Sequence, residues 1–129
     1  MLERLIIEET SYITSNEIRI WIEDDRVHYS LDFLVLNRHV KDEISGVSPE
    51  SLESMLSGIG IERWKKRHEP EFAFMDGVSW SVKLKKSGEK EIKRSGENEW
   101  PANWRRFLMT VKAVTGDLGN MDGEEDGDF

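Results

Sequence analysis

The residues best suited to chemistry are an aspartate and a later Glu-x-Lys triplet. Asp76 is followed after a gap by Glu91, Ile92 and Lys93. Metal-dependent nucleases of the D…(D/E)xK type use such a set, because a divalent ion held by carboxylates activates water and stabilises phosphate charge. Asp76, however, belongs to an Asp-Gly pair typical of a hairpin turn, and the triplet lies in a highly charged segment. A metal-dependent nuclease is therefore an alternative function and not the expected one.

The histidines do not form a metal-ligand pattern. His28, His39 and His68 lack the helical i, i+4 spacing of paired ligands, and the chain has no cysteine. His28 and Asp32 fall on one face of a predicted strand, but a zinc site needs at least three protein ligands. Gly-rich phosphate loops and G-x-S-x-G elbows are also missing from the sequence. We therefore expect no catalytic residues, no metal and no cofactor.

Charge is distributed unevenly along the 129 residues. The formal net charge is −8, but it divides into −7 over residues 1–60, +5 over residues 61–116 and −6 over residues 117–129. A net charge of −8 opposes binding to a polyanion. The middle segment taken alone does not, and it indicates a basic surface on an acidic protein.

The basic surface is predicted on the strands of the middle segment. Lys83 and Lys85 alternate with Trp80 and therefore point to the opposite face, where they join Lys93 and Arg94. A nucleic-acid platform also needs aromatic rings on the basic face for stacking. None is expected there, because Trp80 belongs to the apolar face. Direct nucleic-acid binding is therefore a second alternative, and a protein partner is favoured.

One tryptophan stands apart from the apolar pattern. The alternation of residues 17–23 places three isoleucines on one strand face and Arg19 with Trp21 on the other. Trp21 either packs beneath the loop that carries Trp64 or is an exposed anchor beside an arginine, as in interaction hot spots. The candidate partner-binding residues are Arg19, Trp21, Lys83, Lys85, Lys93 and Arg94.

Hydrophobic periodicity predicts an α+β fold. Strands are predicted over residues 2–10, 17–23, 27–33, 71–75, 78–85 and 89–94, with helices beginning at Pro49 and Pro101. The order is βββαβββα. We expect an antiparallel sheet of five to six strands with two helices on one face.

Domain organisation and location follow from composition. Residues 1–116 are predicted to form a single domain, and residues 117–129, rich in Gly, Asp and Glu, a flexible acidic tail. That tail either solubilises the protein, lies on its own basic surface or mimics a polyanion for a partner. The apolar runs are too short to span a bilayer, and the first residues lack the pattern of a signal peptide. We therefore expect a cytoplasmic protein without membrane contact; its oligomeric state is left open.

Two short blocks carry a resemblance. The first is Asp76-Gly77 with Trp80, and the second reads GENEWPANW over residues 96–104 and is followed by Phe107. Together they resemble a pattern in small uncharacterised proteins of bacteria and phages, and they cover about a quarter of the chain. The resemblance implies a shared fold element and no catalytic residues.

The second block also holds two asparagines near a helix start. Asn98 and Asn103 could bind an anion or a peptide group there. The sequence as a whole predicts a non-enzymatic macromolecular interaction module, an accessory or inhibitor-type protein of bacterial or phage origin. An acidic phage inhibitor of a nucleic-acid-binding host complex and an immunity protein for a toxin both fit.

Overall fold

A computed structural model describes residues 1–69, 77–119 and 121 of the chain. Its elements occur in the order β1 (Leu2–Thr10), β2 (Ser15–Glu23), β3 (Arg26–Phe33), β4 (Arg38–Ile44), α1 (Pro49–Ile59), a 3-10 turn (Ile61–Arg63), β5 (Arg67–His68), β6 (Ser79–Lys86), β7 (Ile92–Glu97) and α2 (Trp104–Thr115). The α+β class is confirmed. The predicted strand at residues 71–75 lies outside the described residues.

The strands form one mixed sheet in the order β4-β3-β2-β1-β6-β7-β5. Neighbouring strands are antiparallel except β5, which pairs with β7 in parallel. The prediction of five to six antiparallel strands is therefore wrong. It missed β4 because an edge strand buries little and keeps charged residues that block pairing with other chains. It missed β5 because two residues carry no periodicity.

The core lies between one face of the sheet and the two helices. The buried strand residues, such as Leu5, Ile18 and Val82, share that face, and they belong to the same cluster as Leu52 of α1 and Phe107 of α2. Both helices therefore cover this face. Side chains alternate along each strand, so every second strand residue points away from the helices.

Local signals at the helix ends agree with the structure, with one shift. The Ser48 hydroxyl accepts a hydrogen bond from Ser51 N at 3.1 Å, and Pro49 occupies the first helical position. Gly116, at φ 78°, ends α2 in the left-handed conformation. The start of α2 was predicted too early, because Pro101 belongs to a turn that precedes the helix and accepts a hydrogen bond from Trp104 N.

The two blocks that carry the resemblance contribute Trp80 and Trp104 to an aromatic cluster in the core. Trp80 and Trp104 are almost fully buried, with ring centroids 4.6 Å apart, as predicted from their apolar stripes. The Trp80 indole donates to the Glu99 carbonyl at 2.8 Å. A Cβ at Gly96 would lie 2.6 Å from Trp80 Nε1, so only glycine fits there. The second block, residues 96–104, therefore forms a strand-to-helix connection that lies over the core.

The first residues after α2 lie against the domain. Asp117 forms an ion pair with Arg38 at 2.6 Å, and Met121 is fully buried. Of the predicted tail, the structure describes residues 117–119 and 121, and the remainder lies outside the described residues.

Candidate binding face

The sheet face opposite the helices carries the sequence-predicted site. No described helix or strand packs over this open face, which we define by the outward residues of β1–β4, β6 and β7. Because cross-strand partners on one face lie side by side, the strand register arranges these residues in rows. Three rows carry the aromatic, cationic and acidic groups of the face.

The aromatic row crosses four strands. Trp21 of β2 stands opposite His28 of β3 on one side and Arg4 of β1 on the other, and Arg4 in turn stands opposite Lys85 of β6. The turn between β2 and β3 sets this register, since two consecutive residues with positive φ give the twist that a two-residue hairpin needs. The Trp21 and His28 rings stack, with centroids 5.6 Å apart and planes 18° from parallel.

His28 is held as a double donor. Its Nδ1 lies 2.9 Å from Asp42 Oδ1, and its Nε2 lies 3.2 Å from the Glu23 carbonyl oxygen. Only the protonated imidazole donates from both nitrogens. The hydrogen bond with Asp42 raises the pKa of His28, and the Coulomb attraction of Asp42 adds to it. A cation therefore stacks on the Trp21 ring in the lower part of the physiological pH range.

The cationic row lies next to the aromatic row. Its members, from β3 to β7, are Ser30, Arg19, Ile6, Lys83 and Lys93. Lys83 and Lys93 stand directly opposite each other, and neither ammonium group has a hydrogen-bond or ion-pair partner among the described residues. Like charges in directly opposite positions destabilise a sheet. An anion bound between the two lysines would relieve this repulsion.

The acidic row borders the cationic row on its far side. It consists of Asp32, Glu17 and Glu8, at successive positions of β3, β2 and β1. Glu17 forms an ion pair with Arg19 at 3.2 Å, and Asp32 pairs with His39 at 2.6 Å. The cationic row and the cations of the aromatic row thus form a positive half of the face beside the acidic row, and Glu23, Asp42 and Glu91 contact the outer side of the aromatic row.

A shallow depression of about 370 Å³ lies in the positive half. Its lining residues are Arg4, Ile6, Arg19, Ile20, Trp21, Ser30 and Lys41. No carboxylate is among them, although acidic side chains line the neighbouring depression around Asp32 and Glu17. An apolar floor with three basic side chains suits a flat, unsaturated group attached to an anion.

The structure brings together five of the six candidate residues. Arg19, Trp21, Lys83, Lys85 and Lys93 lie on the open face. The alternative that Trp21 packs beneath the loop of Trp64 is wrong, because Trp64 lies in the core on the other side of the sheet.

Arg94 is the candidate that does not belong to the open face. It stands opposite the core residue Val82, and its guanidinium donates to the Glu62 carbonyl at 3.0 Å. Sequence reasoning missed three open-face residues, Arg4, His28 and Lys41. Alternation within β1 and β3 signals the first two, but their closeness to Trp21 depends on strand order.

The described residues of the nuclease-like pattern are Glu91 and the β7 residues Ile92 and Lys93, of which Lys93 belongs to the cationic row. Glu91 forms an ion pair with Arg4 at 3.2 Å, and Asp76 lies outside the described residues. The His28 and Asp32 pair is not joined, since each has another partner. Within residues 1–69, 77–119 and 121, no group of three His, Asp or Glu side chains is placed to hold a metal ion.

The two asparagines near α2 are structural. The Asn103 amide accepts from Trp64 Nε1 at 2.9 Å and donates to the Ile59 carbonyl at 2.8 Å. The Asn98 side chain accepts from Val78 N at 2.9 Å. The Asn103 amide is therefore engaged in internal hydrogen bonds on both sides, which argues against a ligand there, and for Asn98 the binding of an anion or a peptide group stays a prediction.

Comparisons with known proteins identified no similar protein. No protein-family model matches this sequence, and neither a curated protein nor a solved structure matches it. The described part of the chain has no helix long and apolar enough to cross a lipid bilayer.

Proposed function

We propose that the protein is a non-enzymatic binding module whose open sheet face binds a partner with a negatively charged surface. The observation that carries this proposal is the pair Lys83 and Lys93, which face each other on the open face without an ion-pair partner among the described residues. Accessory and inhibitor-type roles remain the biological context that we favour.

The remaining cations of the face are available to a partner despite their ion pairs. Arg4 and Arg19 each contact a carboxylate at 3.2 Å, and Lys85 lies 3.7 Å from Glu3. Exposed ion pairs contribute only about 0–1 kcal/mol and are screened by salt. A polyanion that offers several negative charges at once can therefore displace these single carboxylates.

The test is a charge reversal on the open face. The double variant K83E/K93E is compared with K65E/K112E, which makes the same change of charge at two exposed residues outside this face. Binding to three anionic probes (heparin, polyglutamate and nucleic acid) is measured at low and moderate salt. We expect K83E/K93E to weaken binding of at least one probe by tenfold or more, and K65E/K112E to leave it within about twofold.

The proposal fails if no probe binds, or if both double variants weaken binding equally. Circular dichroism and urea denaturation of both variants show whether the fold is intact. K83E/K93E exchanges one facing pair of like charges for another, so the repulsion persists and stability should stay close to that of the unaltered chain.

A further inference from the structure

The open face combines basic groups with a stacked aromatic pair, a combination that the sequence did not predict. A solvated charged surface needs no tryptophan, whereas an aromatic anchor beside an arginine is typical of a binding surface. Single-stranded nucleic acids present both a phosphate charge and a flat base at each nucleotide, and proteins bind them with cationic tracks and aromatic platforms. We propose that the open face binds single-stranded nucleic acid, with a base on Trp21 and phosphates along Arg19, Lys83 and Lys93. This inference rests on the proposed function.

The depression next to Trp21 has the composition that a base requires. Ile6 and the Trp21 ring provide apolar surface, while Arg4, Arg19 and Lys41 stand around it without a carboxylate in the lining. A base placed there contacts hydrophobic groups and a π-system, and its phosphate meets arginine or lysine. The Trp21 ring is already oriented by its stack on His28 and by an indole hydrogen bond to Glu23 at 3.1 Å.

The spacing of the cations matches a strand that crosses the sheet. Neighbouring strands are about 4.8 Å apart, so Arg19 on β2 and Lys93 on β7 are separated by roughly 14 Å across β1 and β6. The cationic row therefore offers contacts to several successive phosphates. The acidic row of Glu8, Glu17 and Asp32 runs beside it and repels a backbone displaced from the track.

A duplex is a poorer occupant than a single strand. Bases inside a duplex are stacked on each other and do not offer a free face to a side chain. A site that uses Trp21 for stacking should therefore discriminate against double-stranded DNA of the same sequence. A purely acidic polypeptide such as polyglutamate has no ring to stack, so its binding should need the lysines and not Trp21.

The experiment measures fluorescence anisotropy of labelled oligothymidine and oligouridine of about 12 nucleotides, a length in the range that single-strand-binding folds cover. The competitors are a duplex of equal length, polyglutamate and uridine monophosphate. The variants are W21A, W21F, K83E/K93E and the control K65E/K112E. Titrations at about 50 and 200 mM salt give the number of phosphate contacts from the slope.

We expect W21A to weaken single-strand binding by about five- to 150-fold and W21F to restore most of it, since each stacked base contributes about 1–3 kcal/mol. K83E/K93E should lower affinity at least tenfold and flatten the salt slope, and the duplex should compete poorly. Salt-sensitive binding of polyglutamate that needs the lysines but not Trp21 would overturn this inference and leave the proposed function standing. Binding of the mononucleotide as tight as the oligomer would also overturn it, as would equal affinity of W21A and the unaltered chain. Failure of every probe would overturn both.

Discussion

Two tryptophan–histidine pairs lie on opposite faces of the same sheet. Trp21 and His28 stack on the open face with ring centroids 5.6 Å apart, and Trp80 and His68 meet on the covered face at 5.5 Å. The residue types are the same in both pairs, and the distances between the ring centroids are nearly equal. The surroundings differ, because the first pair is bordered by cations and the second by the aromatic core.

The two histidines consequently shift in opposite directions. The hydrogen bond to Asp42 raises the pKa of His28, whereas burial, followed by the nearby charge of Lys65, lowers the pKa of His68. The raised pKa favours a charged imidazole at an accessible surface, and the lowered pKa favours a neutral ring beside the aromatic core. The same two residue types serve binding on one face and packing on the other, which the following substitutions test.

The largest effect is expected at the centre of the covered face. Trp104 is 1% exposed and contacts the rings of Trp64, Trp80 and Phe107. W104A should lower the free energy of unfolding by about 3–5 kcal/mol, because it leaves a large cavity. Urea denaturation followed by circular dichroism measures this loss.

The matched control is W104F, which keeps an aromatic ring at the site. The Trp104 indole nitrogen has no hydrogen-bond partner among the described residues, so phenylalanine removes an unsatisfied donor together with some packing. W104F should lose clearly less stability than W104A. A loss of under about 1 kcal/mol for W104A would mean that the aromatic cluster is not the structural centre of the covered face.

The next effect concerns the close approach at Gly96. An added Cβ would lie 2.6 Å from Trp80 Nε1, 2.7 Å from the Glu99 carbonyl and 2.8 Å from that of His68. G96A should therefore cost about 1–3 kcal/mol through overpacking. G46A is the control, since no atom lies within 4 Å of its new methyl group, and its stability should stay within about 0.5 kcal/mol. Equal stability of G96A and the unaltered chain would show that β7 can shift away from Trp80.

These positions also show how far the sequence carries. The apolar stripe that includes Trp104 and the alternation around Trp80 predict burial, because period and hydrophobicity are local properties. Lys83, Lys85 and Lys93 likewise follow from alternation. The neighbours of Trp21 cannot be derived from alternation, because they come from β1 and β3. Only strand order places Arg4 and His28 beside Trp21.

The error about the basic face has the same origin. From the sequence, Lys83 can be related only to the aromatic residue of its own strand, Trp80, and alternation places these two on opposite faces. In the sheet, β1 lies between β6 and β2, so an aromatic ring from β2 joins the lysines of β6 on one face. Arg94 was misplaced because neighbouring residues of a strand alternate, and Lys93 already occupies the open face.

A smaller effect is expected in the pH dependence of stability. The pKa of His28 is raised above 6.5, so its stabilising contribution is complete below that value and is lost as pH rises through the raised pKa. The pKa of His68 is lowered, so its contribution is complete above 6.5 and is lost as pH falls through the lowered pKa. The two contributions are compared by measuring urea midpoints between about pH 5 and 8. The proteins measured are the unaltered chain, H28Q and H68L.

The stability difference between the unaltered chain and H28Q should shrink with rising pH, and the difference from H68L should shrink with falling pH. Subtraction of each variant removes the titration of the carboxylates, which both chains share. Parallel pH profiles for the two variants would contradict the contrast between the faces. H28Q retains hydrogen-bonding capacity, so a change in the slope reports the charge of the imidazole.

The smallest effect on stability is expected at Trp21. Its ring stacks on His28 and its indole donates to Glu23, both at a partly exposed site. W21A should therefore cost about 0.5–1.5 kcal/mol, since that is the usual contribution of an aromatic contact, the ring buries little area here and a surface hydrogen bond adds little. The same substitution should abolish most binding to single-stranded oligonucleotides.

Two results for W21A would contradict this prediction. If W21A destabilised the domain as much as W104A, the open-face pair would be a second packing centre, and any loss of binding would follow from unfolding. If W21A kept both stability and binding, the ring would contribute to neither. Unfolding and binding measured on one preparation separate these outcomes, because a site built for recognition loses affinity while the fold persists.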